Sequence, residues 1–156
     1  MRLAPGLTLF LALLLTALPL PPSAAAFKPD WIPVTLIYWS LASPPAFGLL
    51  AAFVIGLGLD ALTGALLGQH ALALVTVVYL VRRFRLRLRA FPLSQCTIAV
   101  AVVLALYEFV LFWADGVAGR TVPIGERWQP VLSGTLLWLL VWSAFDHGRE
   151  HAPARL

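Results

Sequence analysis

Charged positions cut the chain into long uncharged stretches: residues 3–27, 31–59, 61–81, 90–107 and 128–145 carry no formal charge. None alternates apolar and polar residues as a half-buried strand does, and each is long enough to be read as helix. About 20 apolar residues are needed to cross the roughly 30 Å hydrocarbon core of a bilayer. The first stretch gives one pass, 3–20, ending at Pro19-Leu20-Pro21-Pro22. The second is too long for one helix and is cut by Pro44-Pro45, which removes backbone donors and discourages continuation. It is read as two passes, 31–43 and 46–66, the first of them short. A fourth follows at 70–84, a fifth at 92–114 and a sixth at 129–145.

Composition agrees with a membrane chain. Of 156 residues, 61% are hydrophobic and 12% charged, and the mean hydropathy is +0.90. A soluble domain of this size leaves too much surface in water to hide that much apolar area. A soluble enzyme and a disordered chain are therefore both excluded. The expectation is a single all-α membrane domain over residues 1–156.

The net charge of +4 does not point to nucleic acid, because its distribution is local. Arg82, Arg83, Arg85, Arg87 and Arg89 form one basic run between apolar segments, as a cytoplasmic loop does under the positive-inside bias. Six passes place both termini on that side, with Arg2, Arg149 and Arg155. Lys28, Arg120 and Arg127 fall on the other side, and Trp31, Trp113 and Trp128 form an aromatic belt at the outer interface. The five arginines are read as topology determinants and lipid contacts. Arg2, the following apolar run and Ser23-Ala24-Ala25-Ala26 also have the form of a secretory signal with a cleavage site.

Three acids lie in or near the apolar segments: Asp60, Glu108 and Asp115. A carboxylate at mid-membrane costs at least about 2.5 kcal/mol, so it marks a protein-facing or water-facing position. Asp115 is expected at the outer surface. Asp60 belongs to a stripe of small residues repeating every four positions: Gly48, Ala52, Gly56, Asp60, Gly64 and Gly68. Such stripes let helix backbones approach closely in lipid. The stripe either packs against a neighbouring helix of the same chain or receives a partner's transmembrane helix. Glu108 and Asp115, seven apart, share a helix face. About 10 Å of rise separates them, and no nucleophile, metal-ligand set or phosphate loop accompanies them, so a catalytic pair is disfavoured. His70, after Gly68-Gln69, is read as a solvated or interfacial turn residue. The lone Cys96 has no disulfide partner and is read as a small buried side chain. No cofactor and no metal is expected.

A family resemblance rests on longer strings. In order these are Phe27-Lys28-Pro29-Asp30-Trp31, then Ile37-Tyr38-Trp39-Ser40-Leu41-Ala42-Ser43-Pro44, then the run from Gly56 to Leu72 that contains Asp60, Gly64, Gly68 and His70. Tyr79, the basic turn, Phe91-Pro92-Leu93 and Phe112-Trp113 continue it. Together they resemble the bacterial rod shape-determining MreD family over roughly residues 27–145. The resemblance implies a retained first helix rather than a cleaved signal. It also implies a non-enzymatic inner-membrane subunit of the cell-wall elongation machinery, bound to MreC and through it to MreB, RodA and its transpeptidase. It further implies a helix plan similar to the substrate-binding components of energy-coupling-factor vitamin transporters. That likeness supplies the alternative of a small-molecule-binding transporter subunit, although a shared fold transfers no function.

Overall fold

A computed structural model describes residues 4–19, 21, 28–43, 47–120 and 123–146. Pro44-Pro45, Ser23-Ala24-Ala25-Ala26, Arg2, Arg149 and Arg155 lie outside the described residues. Every regular element among the described residues is a helix: α1 (Ala4–Ala17), α2 (Trp31–Ala42), α3 (Leu49–Thr63), α4 (Gln69–Arg83), α5 (Arg85–Ala90), α6 (Leu93–Val117), α7 (Ile124–Arg127) and α8 (Gln129–Asp146).

Local chemistry sets the boundaries. Pro33 sits in the first turn of α2 and Pro130 in that of α8, where a missing N–H breaks no intrahelical bond. Pro92 precedes α6. The segment expected over 46–66 is helical only over Leu49–Thr63, because Gly64 turns the chain at φ +64°. Its amide and that of Ala65 close the helix on the carbonyl of Asp60. Gly68, at φ +99°, opens α4. At the far end the segment expected over 92–114 runs on to Val117, making α6 25 residues long.

The long helices alternate in direction along the chain. Trp39 Nε1 donates to Thr8 Oγ1 at 2.8 Å, tying late α2 to early α1. α4 packs against α2, α3 and α6 and buries Ala71, Ala73, Leu74, Val77, Val78 and Val81. α2 is covered almost all round: Ile32, Val34, Leu36, Ile37 and Leu41 are buried, and α8 lays Trp138 against Tyr38 at 6.4 Å between ring centres. Polarity does not increase toward the outside. Leu7, Phe10, Leu50, Val54, Ile98, Val102, Leu132 and Leu136 are more than half exposed, an apolar exterior that a chain surrounded by water does not keep.

By length and composition α6 alone among the described helices is both long and apolar enough to cross a bilayer. α1, α2 and α3 are apolar but shorter. The 12 residues of α2 rise about 18 Å, short of the hydrocarbon thickness.

Candidate functional site

One end of the bundle holds almost all of its buried polar chemistry. It gathers the last turns of α1, α3 and α6, the first turns of α2, α4 and α8, and α7.

Asp60 is 1% exposed. It stands one turn from the end of α3, and the tight 64–68 connection folds α4 back so that its amides meet the carboxylate. The backbone N–H of Gly68 donates to Oδ2 at 2.7 Å and that of His70 to Oδ1 at 2.9 Å. The Nδ1 of His70 lies 2.8 Å from the same Oδ1. A carboxylate is favoured at a helix N-terminus, where donors lack intrahelical partners. Gly68, the N-terminal flanking residue of α4, offers no side-chain cap of its own, and α3 supplies one.

A second set of bonds joins α4, α6 and α7. Gln69 Nε2 donates to Asp115 Oδ1 at 2.9 Å. The guanidinium of Arg127 pairs with Asp115 Oδ2 and reaches Glu108 Oε2 at 3.8 Å. Asp115 was expected at the surface, but it is 7% exposed. Its burial becomes affordable because α7 folds a guanidinium over it. Glu108 also hydrogen-bonds the side chain of Asp30, just ahead of α2. Burial pushes the Asp30 carboxyl above its ordinary range, against the lowering by Glu108, His70, Arg127 and Lys28.

Above these groups lies a cavity of about 280 Å³, lined by Lys28, Asp30, Trp31, Thr63, His70 and Tyr107 among others. Lys28 donates from Nζ to the carbonyls of Thr16 and Leu18, closing the α1 side. Among the described residues no group of His, Cys, Asp or Glu could hold a metal ion. The carboxylates are engaged with partners of the same chain, so the arrangement acts as a clasp. It fixes the ends of α2, α3, α4, α6 and α7 relative to one another.

The glycine stripe is divided between two uses. Gly56 faces α4 so closely that a Cβ there would lie 2.2 Å from Cα of Ala71. Gly64 and Gly68 fall in the turn rather than on the helix face, because the chain reverses before the spacing can continue. His70, read as a turn residue, is engaged with Asp60, and its side chain is 15% exposed. Sequence reasoning passed over Asp30, Gln69 and Arg127. Asp30 and Arg127 each sit next to an uncharged stretch and look like boundary charges. Their position beside Trp31 and Trp128 was the available signal, since a charge at the first turn of a helix is well placed to meet the last turn of an antiparallel neighbour.

The opposite end carries the arginines. Arg85 Nε donates to the carbonyl of Leu41 at 3.0 Å, and Nη1 of Arg82 comes within 3.8 Å of the place a Cβ on Gly48 would take. Arg82, Arg83, Arg87 and Arg89 are exposed. Cys96 is buried near the start of α6.

A family model described as rod shape-determining protein MreD matches residues 2–146. A Haemophilus influenzae protein named rod shape-determining protein MreD is 31% identical over 131 residues, covering 82% of this chain and 79% of that protein. No solved structure matches the chain. Nothing in these matches supports a transporter subunit.

Proposed function

The chain belongs to the MreD family of rod shape-determining proteins, and from that premise we propose that it is a non-enzymatic, multi-pass inner-membrane subunit of the elongation machinery. In this reading α1, α2, α3, α4, α6 and α8 make the six passes, α2 as a short one enclosed by its neighbours, with the arginine end and both termini in the cytoplasm and the clasp at the outer face. The observation that carries the proposal is the family match over residues 2–146. The apolar exterior and the segregation of five arginines to one end support the membrane placement. The absence of catalytic equipment from the sequence motifs supports a scaffolding role.

MreC is the direct partner in this proposal, with MreB, RodA and its transpeptidase in the same complex. The internal contacts of Gly56 and Asp60 orient the opposite face of α3, where Leu50 and Val54 are 76% and 59% exposed, toward a partner helix. Gly64, Gly68 and Glu108 hold the turn and the clasp that set the angle of that face. Depletion in a rod-shaped host, with complementation by the full chain, tests the proposal. Rounding on depletion and MreC co-purification with the chain are expected. Normal shape after depletion contradicts it.

A further inference from the structure

At the arginine end, α4, α5 and α6 leave a groove of about 380 Å³ between them. Leu80, Phe84, Leu88, Phe91 and Val102 make its walls, and Arg87 is the one charged residue on it. The volume is roughly a dozen times the ~30 Å³ share of a water molecule. A methylene group is of similar size, so the groove has room for a length of acyl chain. Arg85 turns away to the carbonyl of Leu41 and Arg82 toward Gly48, whereas Arg87 stays exposed at the groove. A guanidinium offers a planar fork of donors that matches a phosphate.

We propose that this groove is a binding site for one anionic phospholipid, with an acyl chain along α4 and α6 and its phosphate on Arg87. The proposal rests on the membrane placement above. It goes beyond a diffuse basic loop because one arginine of the run has the role and its neighbours do not. The groove lies at the end where that placement puts headgroups. Its apolar lining and single positive charge match the two halves of such a lipid.

The test uses the full chain in nanodiscs of equal phosphatidylglycerol and phosphatidylcholine, with retained lipid read by native mass spectrometry. Phosphatidylglycerol is expected to be retained in preference. Arg87→Gln should lower that preference by about fivefold, the equivalent of one arginine contact at an anionic surface, and Arg87→Lys should restore most of it. Ala99→Phe, which fills the groove, should abolish retention of either lipid. Arg83→Gln removes the same charge outside the groove and should leave the preference unchanged. Equal loss in Arg83→Gln and Arg87→Gln overturns the site in favour of diffuse attraction. Unchanged retention in Ala99→Phe overturns the acyl chain, and a partner helix found seated on the groove replaces the lipid. Release of the wild-type chain from membranes by alkaline carbonate would instead defeat the membrane placement. Circular dichroism of each variant separates misfolding from loss of the site.

Discussion

Gly56 and Ala71 bring the backbones of α3 and α4 together: the Cα of Ala71 occupies space that any side chain at position 56 would need. His70 and Ala71 present backbone rather than flexible side-chain ends at this contact, so neither can yield cheaply. Gly56→Ala should therefore destabilise the protein by about 1–3 kcal/mol, the usual range for overpacking. Gly56→Leu should separate the helices and lower the amount of protein in the membrane. Thermal unfolding in detergent and membrane-fraction blotting read the two effects. Wild-type melting of Gly56→Ala would show that the two backbones are not in contact.

Asp60 accepts from two backbone amides and lies against the His70 imidazole. Asp60→Leu leaves those buried donors without a partner, at about 1–3 kcal/mol for each unmet group. Asp60→Asn keeps one oxygen and turns a donor toward the remaining N–H, so its loss should be smaller. Amide hydrogen exchange at 68–71 should speed up in both variants, more in the leucine variant. Equal exchange rates in the two would refute the capping role.

Arg127→Gln removes the cation between Asp115 and Glu108 while their carboxyls stay buried. Breaking one partner of a buried pair costs about 3–5 kcal/mol. Adding Asp115→Asn should recover part of that loss, because the uncompensated charge disappears with it. A double-mutant cycle on melting temperature measures the coupling, and strict additivity would mean that the pair does not exist in the membrane.

Asp30 gives the clasp a pH dependence. Its folded carboxyl holds its proton to higher pH than the ordinary value of 3.8, so the folded chain binds more protons than the unfolded one. The contribution is complete in acid and is lost as pH rises through the folded value. Melting temperature should therefore fall as pH rises above the ordinary carboxyl value of 3.8. Asp30→Asn, which is neutral throughout, should flatten that slope, whereas an unchanged slope would place the titration elsewhere.

Topology has its own readout. Cys96 is 1% exposed and gives little background. A cysteine at Gly119 should be labelled from the periplasm, and one at Arg87 should not. Equal labelling of both would refute the placement of the two ends.

Legibility from sequence differed between these contacts for physical reasons. A close helix approach on the face of Gly56 and Asp60 was visible because small residues at helical spacing let backbones meet, but the spacing left open whether the neighbour is a helix of the same chain or a partner's. The end of that face at Gly64 was not visible, since a glycine continues a stripe and terminates a helix with equal ease. Arg127 and Asp115 sit 12 positions apart across a turn, and Asp30 and Glu108 are far more distant in sequence. No periodicity connects such pairs, and only the packing of α6 antiparallel to α2 and α4 brings them together.

The enclosure of α2 has a consequence for the order of assembly during synthesis. Val34 meets the Gly134 position of α8 at 3.7 Å, and Tyr38 leans on Trp138. Among the described helices, α2 is therefore not sheathed until α8 arrives. Until then its flank must lie against lipid or an insertion factor. Ribosomes stalled between residues 117 and 129 should hold a chain whose α2 is open to protease or crosslinker, and completion of α8 should close it in one late step.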